Sequence, residues 1–214
     1  MKNQVNDWDK IFINCGDEKP KYDDWLDKFE NVISLSKNKD IIDLGCGFGN
    51  DTLYLSERGY SVISCDYSIE ALNRLDKFVK GPKKKLFNML DGLPFEDNSA
   101  KVLISDLSLH YFSWDDTKRI VGDISRVLED CGHLICRVNS TKDFNFGAGM
   151  GVIIEQDYYN VGGKQKRFFN QISLERLFQG PWLIHYIKEC EMYRYKETKI
   201  VWELLIENRK YRGI

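Results

Sequence analysis

Four aspartates and a histidine carry most of the chemistry this chain could do. Asp43, Asp66, Asp91 and Asp106 each stand within or directly after an apolar run, and His110 follows the last of them. A carboxylate accepts hydrogen bonds from vicinal hydroxyls or from an exocyclic amine, so acids in such places suit a nucleoside. A histidine beside a reacting atom can take up a proton near neutral pH. Between Asp43 and Asp66 lies Gly45-Cys46-Gly47-Phe48-Gly49, with glycines at alternate positions. Glycine takes positive φ without strain and lets a ligand approach the main chain closely.

These residues need strands and helices to hold them. Ile41, Ile42 and Leu44 predict a buried parallel strand, and Leu53 to Leu55 predict a helix that ends at Gly59. Ser61–Asp66 predicts a second strand, followed by a helix capped by Ser68 and running to Gly81-Pro82. Leu86–Leu90 reads as a third strand, with Lys83-Lys84-Lys85 as its solvated start. Lys101–Asp106 reads as the fourth, and Ser113 caps a helix striped by Ile120, Val121, Ile124 and Val127. Glu129–Gly132 stops that helix before a fifth strand, His133–Val138, and two further strand patterns, from Leu183 and from Thr198, form an antiparallel hairpin. Strands alternating with helices imply an α/β fold with a doubly wound, mostly parallel sheet. Ligands bind such sheets outside the carboxyl ends of the strands, where the helix after the glycine turn also offers free N–H groups.

The glycine spacing narrows the ligand. A dinucleotide fingerprint is G-x-G-x-x-G, whereas here the pattern is G-x-G-x-G and Asn50 takes the place of the last glycine. Asp43 would repel a pyrophosphate and suits a cationic ligand. No Gly-Lys-Ser/Thr follows, which excludes a P-loop. The composition excludes other classes. A net charge of −2 gives no broad basic surface for a nucleic-acid backbone. No apolar run is long enough to span a membrane, and the polar N-terminal stretch lacks a signal-peptide pattern. Six cysteines show no C-x-x-C and no accompanying histidine cluster, so reduced thiols in a cytoplasmic protein are expected, and no metal site.

Asp43-Leu44-Gly45-Cys46-Gly47-Phe48-Gly49, after its apolar strand, resembles motif I of the class I S-adenosylmethionine-dependent methyltransferases. Asp91-Gly92-Leu93-Pro94-Phe95 resembles that family's acid-x-Leu-Pro-Phe segment, and Asp106-Leu107-Ser108-Leu109-His110-Tyr111 resembles its motif IV in small-molecule enzymes. The tetrapeptide of nucleobase amino methyltransferases is absent. The resemblance implies a Rossmann-like sheet of seven strands, the C-terminal one antiparallel, in a single domain over 1–214. It implies S-adenosylmethionine as cofactor and S-adenosylhomocysteine as product, with a small-molecule nucleophile methylated by in-line displacement.

It also assigns cofactor contacts to Asp43, Gly45, Cys46, Gly47 and Gly49. Asp66 would hold the ribose, against a reading as a helix cap. Tyr67 would pack on the adenine, and Asp91, Gly92 and Leu93 would meet its edge, against a plain Asx turn. Asp106 and Leu107 would lie at the methionine end. His110 is the catalytic candidate, against a structural histidine bonded to backbone. Tyr22, His110, Tyr111, Arg137 and Phe146 are acceptor-side candidates, with Arg137 read first as the partner of an internal acid. Residues 1–38 are expected to form a helical cover, with Trp8 and Tyr22 over the cleft, and 139–171 a substrate lid or inserted hairpin. A monomer or homodimer acting on a small molecule, with no nucleic acid or membrane partner, is expected. Two rivals stand beside it: a non-catalytic cofactor-binding subunit of another methyltransferase, which would show a sizeable apolar patch, and a nicotinamide-dependent oxidoreductase.

Overall fold

The computed structural model describes residues 2–14, 16 and 18–210, with side chains described from Trp8 onward. The chain opens with helix α1 (Lys2–Asn14). The apolar run from Tyr22 to Leu35 is a broken helix: 3-10 turns at Asp24–Phe29 and Ser34–Ser36 flank a short α2 (Glu30–Ile33). Strand β1 (Ile41–Leu44), helix α3 (Asn50–Glu57), strand β2 (Val62–Asp66) and helix α4 (Ile69–Leu75) follow in the expected order, with α4 ending at Leu75 and turns continuing to Gly81. Ser68 caps α4 by accepting a hydrogen bond from the Ala71 N–H at 3.2 Å.

Strand β3 is Lys83–Leu86, so the lysine run is the strand itself and Leu86–Leu90 is not. The next residues, Met89–Asp91, form a 3-10 turn whose N-cap is the Asn88 side chain. β3 lies at the outer edge of the sheet, where a row of lysines resists pairing with another chain. Strand β4 (Ala100–Asp106) and helix α5 (Trp114–Val127), capped by Ser113, come next. Strand β5 (Leu128–Asn139) starts directly at the helix end rather than at His133. A register shift against β4 and Cys131 in the left-handed region absorb the expected stop within the strand.

The segment after β5 forms an antiparallel sheet of its own: β6 (Val152–Glu155), β7 (Tyr158–Val161) and β8 (Lys164–Arg167). Helix α6 (Gln171–Leu177), with an Asn170–Ser173 capping box, leads to β9 (Trp182–Met192) and β10 (Lys199–Asn208). The main sheet has seven strands in the order β3-β2-β1-β4-β5-β10-β9. β1 to β5 are parallel, and β10 is antiparallel to both β5 and β9. The resemblance implied this arrangement.

Both faces of the sheet are apolar, as parallel strands require. Ile42, Leu44, Leu103 and Leu134 face α5 and α6. Ile41, Val102, Ile104 and Ile135 face Trp25, Leu26, Phe29 and Ile33 of the broken helix, together with Tyr54 and Leu55 of α3. Burying each of these side chains contributes about 1.5–3 kcal/mol, which fixes the strand ends from which the site residues emerge.

Candidate active site

A cavity of about 750 Å³ opens at the carboxyl ends of β1, β2 and β4, where the strand order reverses. The glycine turn forms its floor. Gly45, Gly47 and Gly49 all have positive φ, at 76°, 49° and 80°. A Cβ on Gly45 would lie 2.4 Å from the Ser108 Cβ, and one on Gly49 would lie 2.2 Å from Leu75 Cδ2. Gly45 therefore lets β4 approach β1, and Gly49 lets α4 pack on the turn; Gly49 supports the cavity from behind and does not line it.

Asp66 is held by backbone. Its Oδ2 accepts from the Gly47 N–H and its Oδ1 from the Ser68 N–H, each at 2.9 Å. Burial raises its pKa while these N–H groups work against the rise. Asp66 thus ties β2 to the glycine turn and still faces the cavity, whereas the cap role belongs to Ser68. Asp43, 2% exposed, accepts from Thr52 Oγ1 at 2.6 Å, and Thr52 also meets Ser64 Oγ at 2.8 Å. Burial, and then the nearby Asp51 carboxylate, push Asp43 well above its ordinary value.

Asp51 was not singled out from the sequence. It lines the cavity from the first turn of α3 and accepts from Trp25 Nε1 at 3.0 Å. Burial and the charge of Asp106 raise its pKa to about 7. Asp106 is the opposite case. Burial alone would raise it, but the Arg137 and Arg194 guanidiniums outweigh burial and hold it well below the usual carboxylate range. Arg137 donates through Nε to Asp106 Oδ1 at 2.7 Å and through Nη1 to Asp23 Oδ2 at 2.6 Å. Arg194 donates to Asp106 Oδ2 at 2.6 Å and also bonds Asp23. At the end of β4, Leu107 takes φ 55°, a conformation costly for a leucine and found where a strand end is forced to present its backbone. Its N–H donates to the Arg137 carbonyl at 3.0 Å.

His110, 3% exposed, lines the cavity with its ring 4.3 Å from that of Tyr111. Its Nδ1 is buried and makes no hydrogen bond. Burial, and then the charges of Lys199 and Lys166, drive its pKa well below 6.5, so the imidazole is neutral at physiological pH. Its Nδ1 makes none of the backbone hydrogen bonds of the plain alternative.

The other residues expected at the site divide clearly. Gly45, Cys46, Gly47, Asp66, Tyr67, Asp91, Asp106, Leu107, His110, Tyr111 and Phe146 share one cavity wall or another, together with Trp8 and Phe12 of α1. Trp8 meets Tyr111 edge-on at 5.0 Å and Phe12 meets Phe48 at 4.9 Å, so α1 lies across the opening. Tyr22 does not reach it; its hydroxyl donates to Glu57 and its ring packs 5.4 Å from Tyr54. Arg137, 1% exposed, does not line it either, because two carboxylates and the Trp25 ring enclose it. Leu93 is buried in the core, and Gly92 lies in a shallow neighbouring depression beside Asp91.

Cations supplied from later in the chain complete the cavity. β10 runs antiparallel to β5, so the turn before it returns to the carboxyl ends of the parallel strands, bringing Arg194, Tyr195 and Lys199. The small sheet brings Lys164, Gln165 and Lys166. It is docked by Tyr158, which donates to the Tyr111 carbonyl at 3.3 Å, and by Arg167, which donates to the Phe112 carbonyl at 3.1 Å. A predicted hairpin and the antiparallel final strand were the available signals for Arg194 and Lys199; nothing local marked them.

Away from the cavity, His133, His185 and Glu207 place donor atoms within 4.8 Å of one another on β5, β9 and β10. Arg209 donates to Glu207 at 2.9 Å and, with His185, holds that carboxyl at about 2. Glu207 is thereby charge-paired with Arg209, while His133 Nδ1 is buried with no hydrogen-bond partner among the described residues. The described cysteines are unpaired thiols, and Cys15 lies outside the described residues.

Comparison with known proteins agrees with this geometry. Residues 42–136 match the family model of a methyltransferase domain. An uncharacterized methyltransferase of Mycobacterium tuberculosis is 31% identical over 119 residues, 55% of this chain and 47% of that protein. A putative methyltransferase of Bacillus subtilis is 31% identical over 124 residues, 56% of this chain and 49% of that protein. The chain therefore spans about half the length of the curated relatives it matches. Among solved structures, a methyltransferase from Methanosarcina mazei superposes with TM-score 0.72 at 18% identity, covering 85% of this chain and 97% of that one. The 1,6-didemethyltoxoflavin-N1-methyltransferase of Burkholderia thailandensis, solved with S-adenosylhomocysteine, gives TM-score 0.65 at 14% identity, covering 98% and 85%. Residues 42–136 are thus similar to a methyltransferase domain, and the sheet order with its antiparallel β10 is that of the class I methyltransferase fold.

Proposed function

We propose that the protein binds S-adenosylmethionine and methylates a small-molecule nucleophile. The observation that carries the reading is the set of acids around the glycine turn, at the switch point of the sheet, in a cavity large enough for a nucleoside-linked amino acid and a small acceptor together. The donor set fits that cofactor. Asp66 offers a carboxylate for a ribose diol, Tyr67 a flat face for adenine, and Asp91 an acceptor for an exocyclic amine. Among the described residues, no row of phosphate-cradling cations lines the turn. Buried acids there, Asp43 and Asp51, suit positively charged groups. When bound, S-adenosylmethionine supplies a sulfonium-activated methyl group open to in-line displacement.

The chain's own part is alignment and exclusion of water. Asp106 is locked by two arginines and fixes the backbone at Leu107 beside the reacting region. Tyr111, Phe146 and the α1 aromatics close the acceptor side. The neutral imidazole of His110 lines the cavity beside Tyr111 and can pack against an acceptor. Its depressed pKa makes it a weak base, so positioning is its role in this reading.

A second reading is favoured by one feature. On the edge strand β6, Val152 and Ile153 are 70% and 71% exposed, an apolar stretch of the kind expected on a cofactor-binding subunit with a partner. Thermal unfolding tests the main reading first. At about a hundred times its dissociation constant a ligand adds roughly 2.7 kcal/mol, on the order of 5–10 °C for a domain of this size. A shift with S-adenosylmethionine and S-adenosylhomocysteine but not NADH is expected. No shift with the first two, or a shift with NADH alone, overturns it.

A further inference from the structure

We infer that the methyl acceptor is an anion with a flat apolar body; this rests on the methyl-transfer reading and names its substrate class. The cavity has walls of opposite character. Around the glycine turn it is acidic, whereas the small sheet and the β9–β10 turn contribute Lys164, Lys166, Arg194 and Lys199.

Charge compensation shows which of these cations are available to a ligand. Arg194 is neutralised by Asp106 and Asp23. Lys199 is neutralised by the buried Asp143 at 2.6 Å. Lys166 has no ion-pair partner among the described residues; its Nζ donates to the neutral carbonyl of Phe146 at 3.2 Å. Lys164 sits beside it in the same strand, with its Nζ 4.7 Å from the centre of the Trp8 ring. Burial, and then the like charge of Lys164, push the Lys166 pKa down. The acids nearest Lys166, Asp106 and Asp143, are already ion-paired, so its charge has no counter-ion among the described residues. An anion placed there relieves the repulsion between the ammonium groups, whereas a cationic acceptor increases it.

The apolar body follows from the rings around the lysines. Phe146 and Tyr195 lie with centroids 5.5 Å apart, and Tyr111 faces the cavity beside His110. Rings so placed favour a planar partner. The anionic group is a carboxylate or a phosphate, since ammonium groups bind either as point charges.

The test uses protein first saturated with S-adenosylhomocysteine by calorimetric titration, then titrated with 2-naphthoate, 2-naphthyl phosphate, 2-naphthamide and 2-naphthylmethylammonium. At least one of the two acids is expected to bind about tenfold more tightly than the amide, the gain of one charge-assisted hydrogen bond. Its affinity should fall as salt is raised, and the amide's should not. The Lys166→Ala variant should lose about tenfold for the acid while its S-adenosylhomocysteine affinity stays unchanged, which also shows that it folds. The preferred acid separates the carboxylate source from the phosphate source. The inference is overturned if the amide or amine binds as tightly as the better acid, if neither acid binds, or if Lys166→Ala leaves acid binding intact. Failure of S-adenosylhomocysteine to bind in the first titration overturns the methyl-transfer reading instead.

Discussion

The two walls of the cavity are built on different principles. The acidic wall comes from one continuous stretch of chain, β1 to β4, and around the glycine turn its acids are held by nearby groups: the Gly47 and Ser68 N–H groups on Asp66, and the Thr52 hydroxyl of α3 on Asp43. The basic wall is gathered from β8, β10 and the turn before β10, and is held by long-range ion pairs. In the proposed reading, local hydrogen bonding fixes the wall that would meet an invariant cofactor. Long-range assembly allows the other wall to change without disturbing the first. The two walls meet at Asp106 of β4 and Asp23 of the segment before β1, each of which takes both Arg137 of β5 and Arg194 of the turn before β10.

Removing that join should have the largest effect. Arg137→Ala leaves Asp106 without its bidentate partner in a buried site, and breaking such a pair costs about 3–5 kcal/mol. Denaturant unfolding should show the loss, and a change below about 1 kcal/mol would mean that Arg194 alone holds the walls together. Asp66→Ala comes next. It removes the acceptor for two backbone N–H groups and the proposed ribose ligand, so S-adenosylhomocysteine affinity should fall on the order of a hundredfold. Equal losses from Asp66→Ala and Lys166→Ala would erase the distinction between the walls.

A smaller effect is a dependence on pH. Between its ordinary value of 3.8 and about 7, Asp51 keeps in the folded protein a proton that the unfolded chain has released. Folding stability contributed by this group is therefore greatest at low pH and declines as pH rises through that window. A positively charged ligand nearby favours the ionised form, so affinity for S-adenosylmethionine should rise by up to about tenfold between pH 6 and 8. Asp51→Asn should flatten that rise; a slope that persists in the variant assigns it to another group. His110→Phe should have the smallest effect: turnover about tenfold lower, cofactor affinity unchanged. A loss beyond about a thousandfold would make His110 the proton acceptor and refute the positioning role.

The same contrast governs what could be read from the sequence. Asp43 to Gly49, Asp66 and Ser68 were legible because each lies within a few residues of the turn or cap that explains it. The β3 strand was displaced because Lys83–Lys85 have no apolar alternation; they form a strand through sheet-edge pairing with β2. The β5 start was missed because Cys131, at φ 59°, bends the strand without ending it. Arg137 read as a partner for an internal acid or as an anion site, and only the fold brought Asp23 and Asp106 to it. Arg194, Lys166 and Lys199 carry no local signal, since their position depends on a hairpin and an inserted sheet folding back over β4 and β5. Tyr22 was placed over the cleft on its aromaticity, but Glu57 and Tyr54 hold it elsewhere.

The position of β10 has a consequence for how the molecule is made. It lies between β5 and β9, yet β5 is complete at Asn139 and β10 begins only at Lys199. Synthesis proceeds from the N-terminus, so β1 to β5 can pair as they emerge, while β5 waits for its other neighbour. The acidic wall can therefore assemble before the residues of the basic wall have been synthesised. A ribosome that stalls before Lys199 would release a sheet with β5 as a bare edge, a template for unwanted pairing with any extended chain nearby.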